Sequence, residues 1–235
     1  MLAIDTATAQ VSVAFGDQGA VLGEVRLAGG RRHAEQLAPA IDYLRREVDI
    51  GLGHLAAIAV GTGPGLFTGL RVGVTTAKVM AQALRIPVVG IPSLDLVAYP
   101  LRHGDRMIVA VLDARRREVF AARYRPVPGG VQRVSDYAVH APAELVADLS
   151  AEPDLEPHGL LLAGDGVARF PEEFGALEHA ELAGSEFGAP SVGALVALAT
   201  ARAEREEFEL PAELRPLYLR RSDAEIAWGD RAAAG

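Results

Sequence analysis

Cysteine is absent from the 235 residues, lysine and tryptophan occur once each, and aromatics make up only 6%. Without cysteine the chain can form no disulfide, no thiolate metal site and no cysteine nucleophile, and this composition suits a cytoplasmic setting. No apolar stretch runs for 18 residues without Gly, Pro or a charge, which argues against a membrane span. The opening "MLAIDTATAQ" has neither a basic segment nor an apolar one, so no signal peptide is expected. The six histidines, at 33, 54, 103, 140, 158 and 179, include no pair four apart. A helical HxxxH metal pair and HExxH are therefore missing, and so is the GxSxG of a nucleophile elbow. Basic charge is scarce in one region. From Glu144 to Pro190 there are eleven Asp and Glu against Arg169 alone, in a chain of net charge −8. Nucleic-acid surfaces are basic because phosphate neutralisation dominates their affinity, so the C-terminal half is unsuited to direct RNA contact.

What is present is a pattern used twice. "LAIDTATAQVSVAF" has an apolar run ending at Asp5, a small polar turn, and an alternating stretch with Val11, Val13 and Phe15 on one face. That pattern predicts a hairpin. "MIVAVLDARRREVFAARY" (107–124) repeats it, with Asp113 in the place of Asp5. A repeat of this length points to duplicated domains, with the boundary near 100–106. The first half continues with a strand over 20–28, a helix over 33–49, a buried strand over 55–63, a long helix to Leu84, a buried strand over 86–93 and a short helix. Pro39 must sit in the first turns of its helix or kink it. In the second half the signals weaken to a helix in "APAELVADLS", a strand and Gly turn in "GLLLAGDGV", and a helix capped by Ser191. "ELPAELRPLYLR" reads as extended.

Between the repeats stands "GTGPGLFTGLRVGVTTAKVMAQAL" (61–84), punctuated by glycines and Pro64. A glycine turn opening a helix suggests phosphate binding, but the chemistry fails. A P-loop needs lysine beside the last glycine, and Lys78 lies far along the helix; a dinucleotide turn needs a third glycine where Leu66 stands. The glycines read instead as a sharp turn with close backbone packing. Leu70, Val74, Ala77 and Ala81 form a stripe on a helix that is apolar nearly all round, so it is covered on both sides. One side meets the sheet. The other meets either a neighbouring helix or a partner. Asp5 and Asp113 are either paired carboxylates across a cleft or turn-forming aspartates at strand ends.

Together, "AIDTAT", "HAEQLAPAI", "AVGTGPGLFTGLRVG", "VVGIPSLDLVA", "LDARRREVFAARY" and "PLYLRR" resemble the bacterial TsaB family of tRNA threonylcarbamoyladenosine biosynthesis proteins. The resemblance implies an α/β fold of two tandem actin-like (ASKHA, RNase H-like) domains, with mixed sheets flanked by helices. It divides the chain into residues 1–103, carrying the dimerisation helices, and a smaller, degenerate domain over 104–235 whose end either stays there or packs back on the first. It implies a cytoplasmic, non-catalytic subunit that pairs with itself and activates the TsaD-like catalytic subunit. A TsaE-like ATPase joins the complex, and tRNA is touched only indirectly. Aligned with the HxEGH metal motif of TsaD, "GIPSLDLVA" puts Ser93 and Val97 where the histidines would stand, so no metal, cofactor or catalytic residue is expected. The turns Asp5-Thr6-Ala7 and Asp113-Ala114-Arg115 lack the glycine of actin-like phosphate turns. The partner-interface candidates are Leu37, Ile41, Leu44, Leu70, Val74, Ala77 and Ala81, each assignable to interface or core. On the interface assignment Leu70→Arg or Val74→Arg breaks a homodimer. Asp5, Thr6 and Thr8 with Arg115, Arg116 and Arg117 are the candidate nucleotide or anion contacts, although a run of arginines such as this is more often a solvated turn. The alternative function is an actin-like nucleotide-binding hydrolase or kinase with a divergent site.

Overall fold

The computed structural model describes residues 1–28, 32–151 and 159–220. The acidic residues Glu152, Asp154 and Glu156 and the terminal Arg221 lie outside the described residues. Strands β1 (Leu2–Asp5), β2 (Gln10–Asp17) and β3 (Ala20–Ala28) form the first antiparallel meander. Helix α1 (His33–Glu47) follows, then β4 (Ile58–Gly61), α2 (Phe67–Leu84), β5 (Val88–Ile91) and α3 (Ser93–Ala98). The sheet order is β3-β2-β1-β4-β5, with β4 and β5 parallel to β1.

The second half repeats this order. It comprises β6 (Met107–Arg115), β7 (Glu118–Val127), β8 (Gly130–Arg133), β9 (Ala138–His140), α4 (Pro142–Ser150), β10 (Leu160–Ala163), α5 (Asp165–Arg169), α6 (Pro171–Phe174) and β11 (Ala180–Leu182). Its sheet runs β8-β7-β6-β10-β11, and β9 also pairs with β7, so two short strands share the place of the first sheet's β3. An antiparallel meander extended by two parallel strands, built twice, is the actin-like architecture. Helix α7 (Val192–Glu204) closes the described helices, and Ser191 caps it by accepting from the Ala194 amide (3.2 Å).

Alternation within the strands decides the layers. In the first sheet Leu2, Ile4, Val13 and Phe15 point to α1 and α2, while Ala3, Ala14 and Ala59 point to α3 and α7. The alanine face lets α7, itself rich in Ala and Val, lie close against the sheet. Short α3 serves both halves. Leu96 packs with the first sheet and α7, and Leu94, Val97 and Ala98 pack on Ile108, Leu112 and Tyr124 of the second. The far face of the second sheet is covered by α4, α5 and α6 through Leu149, Val167 and Phe174. Pro39 lies in the second turn of α1 on its exposed side, where the unpaired carbonyl a turn earlier can meet water. After α7 the chain returns to the first sheet. Glu209 pairs with Val88 at the β5 edge, Leu214 is fully buried, and the Leu217 amide donates to the Thr62 carbonyl (2.8 Å).

Candidate functional site

The glycine turn packs on the first hairpin. Asp5 ends β1 and is buried; its carboxylate accepts from the Ala7 amide (3.0 Å) and from the Ser93 hydroxyl (2.9 Å). Ser93 accepts in turn from the Gly63 amide (3.1 Å). Thr6 donates its hydroxyl to the Gly69 carbonyl (2.8 Å), and the Leu66 amide donates to Ala7 O (2.7 Å). The Thr8 carbonyl is met by His33 Nε2 (2.8 Å), a buried contact at the start of α1. A β-carbon built on Gly61 would overlap the Asp5 carboxylate, and one on Gly69 would overlap the Thr6 carbonyl. The glycines therefore allow α2 to press directly onto the turn after β1. Asp5 and Thr6 are spent on this packing.

Burial pushes the Asp5 carboxyl up to about 6, against the opposing pull of its bonds from Ala7 and Ser93. Between its ordinary value of 3.8 and that level, the folded chain holds a proton that the unfolded chain has released. The stabilisation is thus full below pH 4 and is lost as pH rises through 6. At 1.36 kcal/mol per pKa unit the loss is on the order of 3 kcal/mol. In Asp5→Asn the loss is expected to vanish, so urea unfolding should show wild type losing ground to the variant between pH 4 and 7. A stability gap constant across that range would contradict the assignment.

The α3 positions singled out by alignment are committed inside the fold. Ser93 holds Asp5, and Val97 is 1% exposed in the core between the sheets. Between them stands Asp95, whose Oδ1 accepts from both the Tyr124 and Tyr137 hydroxyls (2.8 Å each). Burial raises the Asp95 carboxyl, and burial plus the carboxylate's charge raise both phenols. Arg133 lies over the Tyr137 ring at 4.2 Å. This tie joins α3 to β7, and the sequence gives no local sign of it because its members are 29 and 42 residues from Asp95. Among the described residues no three His, Asp or Glu side chains converge into a set that could hold a metal.

The arginines sit elsewhere. Arg115, Arg116 and Arg117 form the β6–β7 turn with φ of 63, 53 and 60°, a left-handed run that costs side-chain-bearing residues energy. Arg115 pairs with Asp113 (3.0 Å) and Arg117 reaches Glu173 (3.6 Å). With Arg169 they line a cleft of about 350 Å³. A neighbouring cleft of about 560 Å³ is lined by Thr8, Gln10, Arg26, Asp165 and Glu186, and Pro171 lines both. The Asp165 carboxylate accepts from the Asp113 amide (2.9 Å) and is pushed up to about 6 by burial. Asp5 and Thr6 line neither cleft, so the expected nucleotide contacts do not assemble as one set. Nor do Asp5 and Asp113 pair as carboxylates; each is bonded within its own turn.

The seven candidates left open between interface and core lie inside the chain. Leu37, Ile41, Leu44, Leu70, Val74, Ala77 and Ala81 are all 5% exposed or less, and all but Leu70 belong to the core cluster over the first sheet. The stripe of strongest hydrophobicity is the one a helix gives to its own sheet. The open faces of α1 and α2 carry Tyr43 and Val79, exposed by 57% and 59%, with Thr75 between charged neighbours.

A family model described as "TsaD: tRNA N6-adenosine threonylcarbamoyltransferase" matches residues 25–228. An uncharacterised protein of Mycobacterium leprae is 37% identical over 98% of this chain, which spans 57% of that longer protein. The tRNA threonylcarbamoyladenosine biosynthesis protein TsaB of Escherichia coli is 30% identical over 73% of this chain and 81% of its own length. The solved structure of YeaZ from Pseudomonas aeruginosa superposes with a TM-score of 0.79 at 29% identity, covering 93% of this chain and 98% of that one. The resemblance seen in the motifs thus extends over the whole fold, and the chain belongs to the TsaB family.

Proposed function

We propose that the chain is a non-catalytic subunit of tRNA threonylcarbamoyladenosine synthesis, binding and activating a TsaD-like catalytic subunit for transfer to the adenosine beside the anticodon. The observation that carries this reading is the fate of α3. Ser93 and Val97, which stand where TsaD would hold its metal, are consumed by a hydrogen bond to Asp5 and by the core. The turn after β1, where an actin-like ATPase would receive phosphate, is filled by the chain's own glycine turn. The outer faces of α1 and α2 are open, with Tyr43 and Val79 exposed on them. On this reading those faces take the catalytic subunit or, in its absence, a second copy. A TsaE-like ATPase joins through the complex, tRNA is contacted indirectly, and the work is cytoplasmic. No described helix is long and apolar enough to cross a membrane.

The test is threonylcarbamoyl transfer to tRNA by the cognate TsaD-like and TsaE-like proteins, with and without this chain. Transfer is expected only when the chain is added. Equal transfer without it overturns the reading. The rival, an actin-like nucleotide hydrolase or kinase, draws on the 560 Å³ cleft between Thr8 and Asp165. It requires saturable ATP turnover by the chain alone.

A further inference from the structure

Helix α2 contains no Asp or Glu, and its cations recur every seven residues: Arg71, Lys78 and, at the C-cap, Arg85. Seven residues are close to two turns, so the three share one flank at intervals of about 10.5 Å. The segment after α7 runs along this flank. Lys78 Nζ donates to the Leu214 carbonyl (3.2 Å), and Tyr218 packs on Phe67 with ring centroids 5.1 Å apart. Arg71 lies 4.4 Å over that same Phe67 ring. The segment adds Arg215, whose guanidinium donates to the Leu214 carbonyl (3.0 Å). Elsewhere on the surface Arg45, Arg106, Arg115 and Arg202 each reach a carboxylate. Among the described residues, Arg71, Lys78, Arg85 and Arg215 form no ion pair with a carboxylate.

We propose that this cationic flank of α2 selects an acidic surface on the catalytic subunit as its partner, in preference to a second copy of the chain. The inference rests on the functional reading above. A row of positive charge that no described carboxylate pairs with is conspicuous on a chain of net charge −8. It borders the exposed, apolar Val79, and an apolar centre with a charged rim is the anatomy of a protein interface. A two-fold contact between copies through α2 presents like charge to like charge, which an acidic partner does not. Rim charges act on the encounter step and make it salt-dependent.

The experiment measures association rates of the full chain with the TsaD-like subunit between 50 and 500 mM NaCl, beside self-association by sedimentation. Two variants are compared: Arg71→Glu with Lys78→Gln, and Arg215→Glu, which leaves α2 untouched. Both are expected to slow association at least tenfold at low salt and to flatten its salt dependence, with self-association unchanged or tighter. Rates that match wild type in both variants overturn this inference while leaving the functional reading intact. So does a loss confined to self-association, or a loss of direct tRNA binding with no loss of pairing. A wild-type chain that never pairs with the catalytic subunit at any salt overturns both.

Discussion

Gly69→Ala is expected to destabilise the fold by about 2–4 kcal/mol, a large share of the roughly 5–15 kcal/mol by which a domain of this kind is stable. The added methyl points at the Thr6 carbonyl, with His33 Nε2 and Cε1 3.3 and 3.4 Å away on the same side. The obstacle is backbone, not the end of a flexible side chain. It cannot swing aside, because Asp5 holds the Ala7 amide of the same peptide and Leu66 donates to the Ala7 carbonyl of the next. Either α2 lifts from the sheet and opens the core around Leu70 and Val74, or the turn after β1 breaks its bonds. Lifting also shifts the Val79 face, so loss of partner binding should accompany loss of stability. Gly53→Ala is the control, since nothing lies within 4 Å of a β-carbon there. It should leave stability unchanged or raise it slightly by restricting the unfolded chain. Urea denaturation of the two variants decides the matter. Equal midpoints would mean that the glycine turn is not the tight seam described.

The parts of the fold that repeat a strong local pattern were legible from the residues alone. Both hairpins announce themselves by an apolar run, an aspartate and an alternating return strand. The C-terminal limit at Leu84, the Ser191 cap and the packing role of the glycine turn follow from composition and spacing. Strands β8, β9 and β11 were not legible. Each has three or four residues, too few for alternation to register, and each is fixed by its neighbour in the sheet. The Asp95–Tyr124–Tyr137 tie is invisible for a related reason, since tertiary folding alone brings α3 to β7. Spacing left the helical stripe open between interface and core, and burial within the chain assigns it to the core. A helix apolar nearly all round offers its most regular stripe to its own core. The surface that remains is marked by an interruption of polarity, Val79 among Thr75, Lys78 and Gln82.

That distinction separates two substitutions that look alike in sequence. Leu70→Arg and Val74→Arg place a charge where exposure is 1% and 2%, Val74 in the core over the first sheet with Leu37 and Ile41, Leu70 beside Gly63 of the glycine turn. An unpaired charge there costs several kcal/mol, so these chains should fail to fold, and a lost dimer in either would report on folding alone. Val79 is 59% exposed, and replacing it tests the surface itself. Val79→Gln is the informative change. It is neutral, so it leaves the cationic flank as it stands, and glutamine favours the helix slightly more than valine. Its melting temperature should match wild type. Its affinity for the catalytic subunit should fall by about tenfold to thirtyfold, the loss of one apolar anchor at an interface centre. Tyr43→Ser, at the exposed side of the neighbouring α1, should act in the same direction if the partner covers both helices. At limiting chain concentration threonylcarbamoyl transfer should fall in parallel and recover when the variant is supplied in excess, because the substitution weakens assembly and leaves the catalytic subunit whole. Unchanged affinity in both variants, with the fold intact, would place the partner surface away from α1 and α2. Transfer that stays low at saturating variant would mean that this face does more than hold the partner.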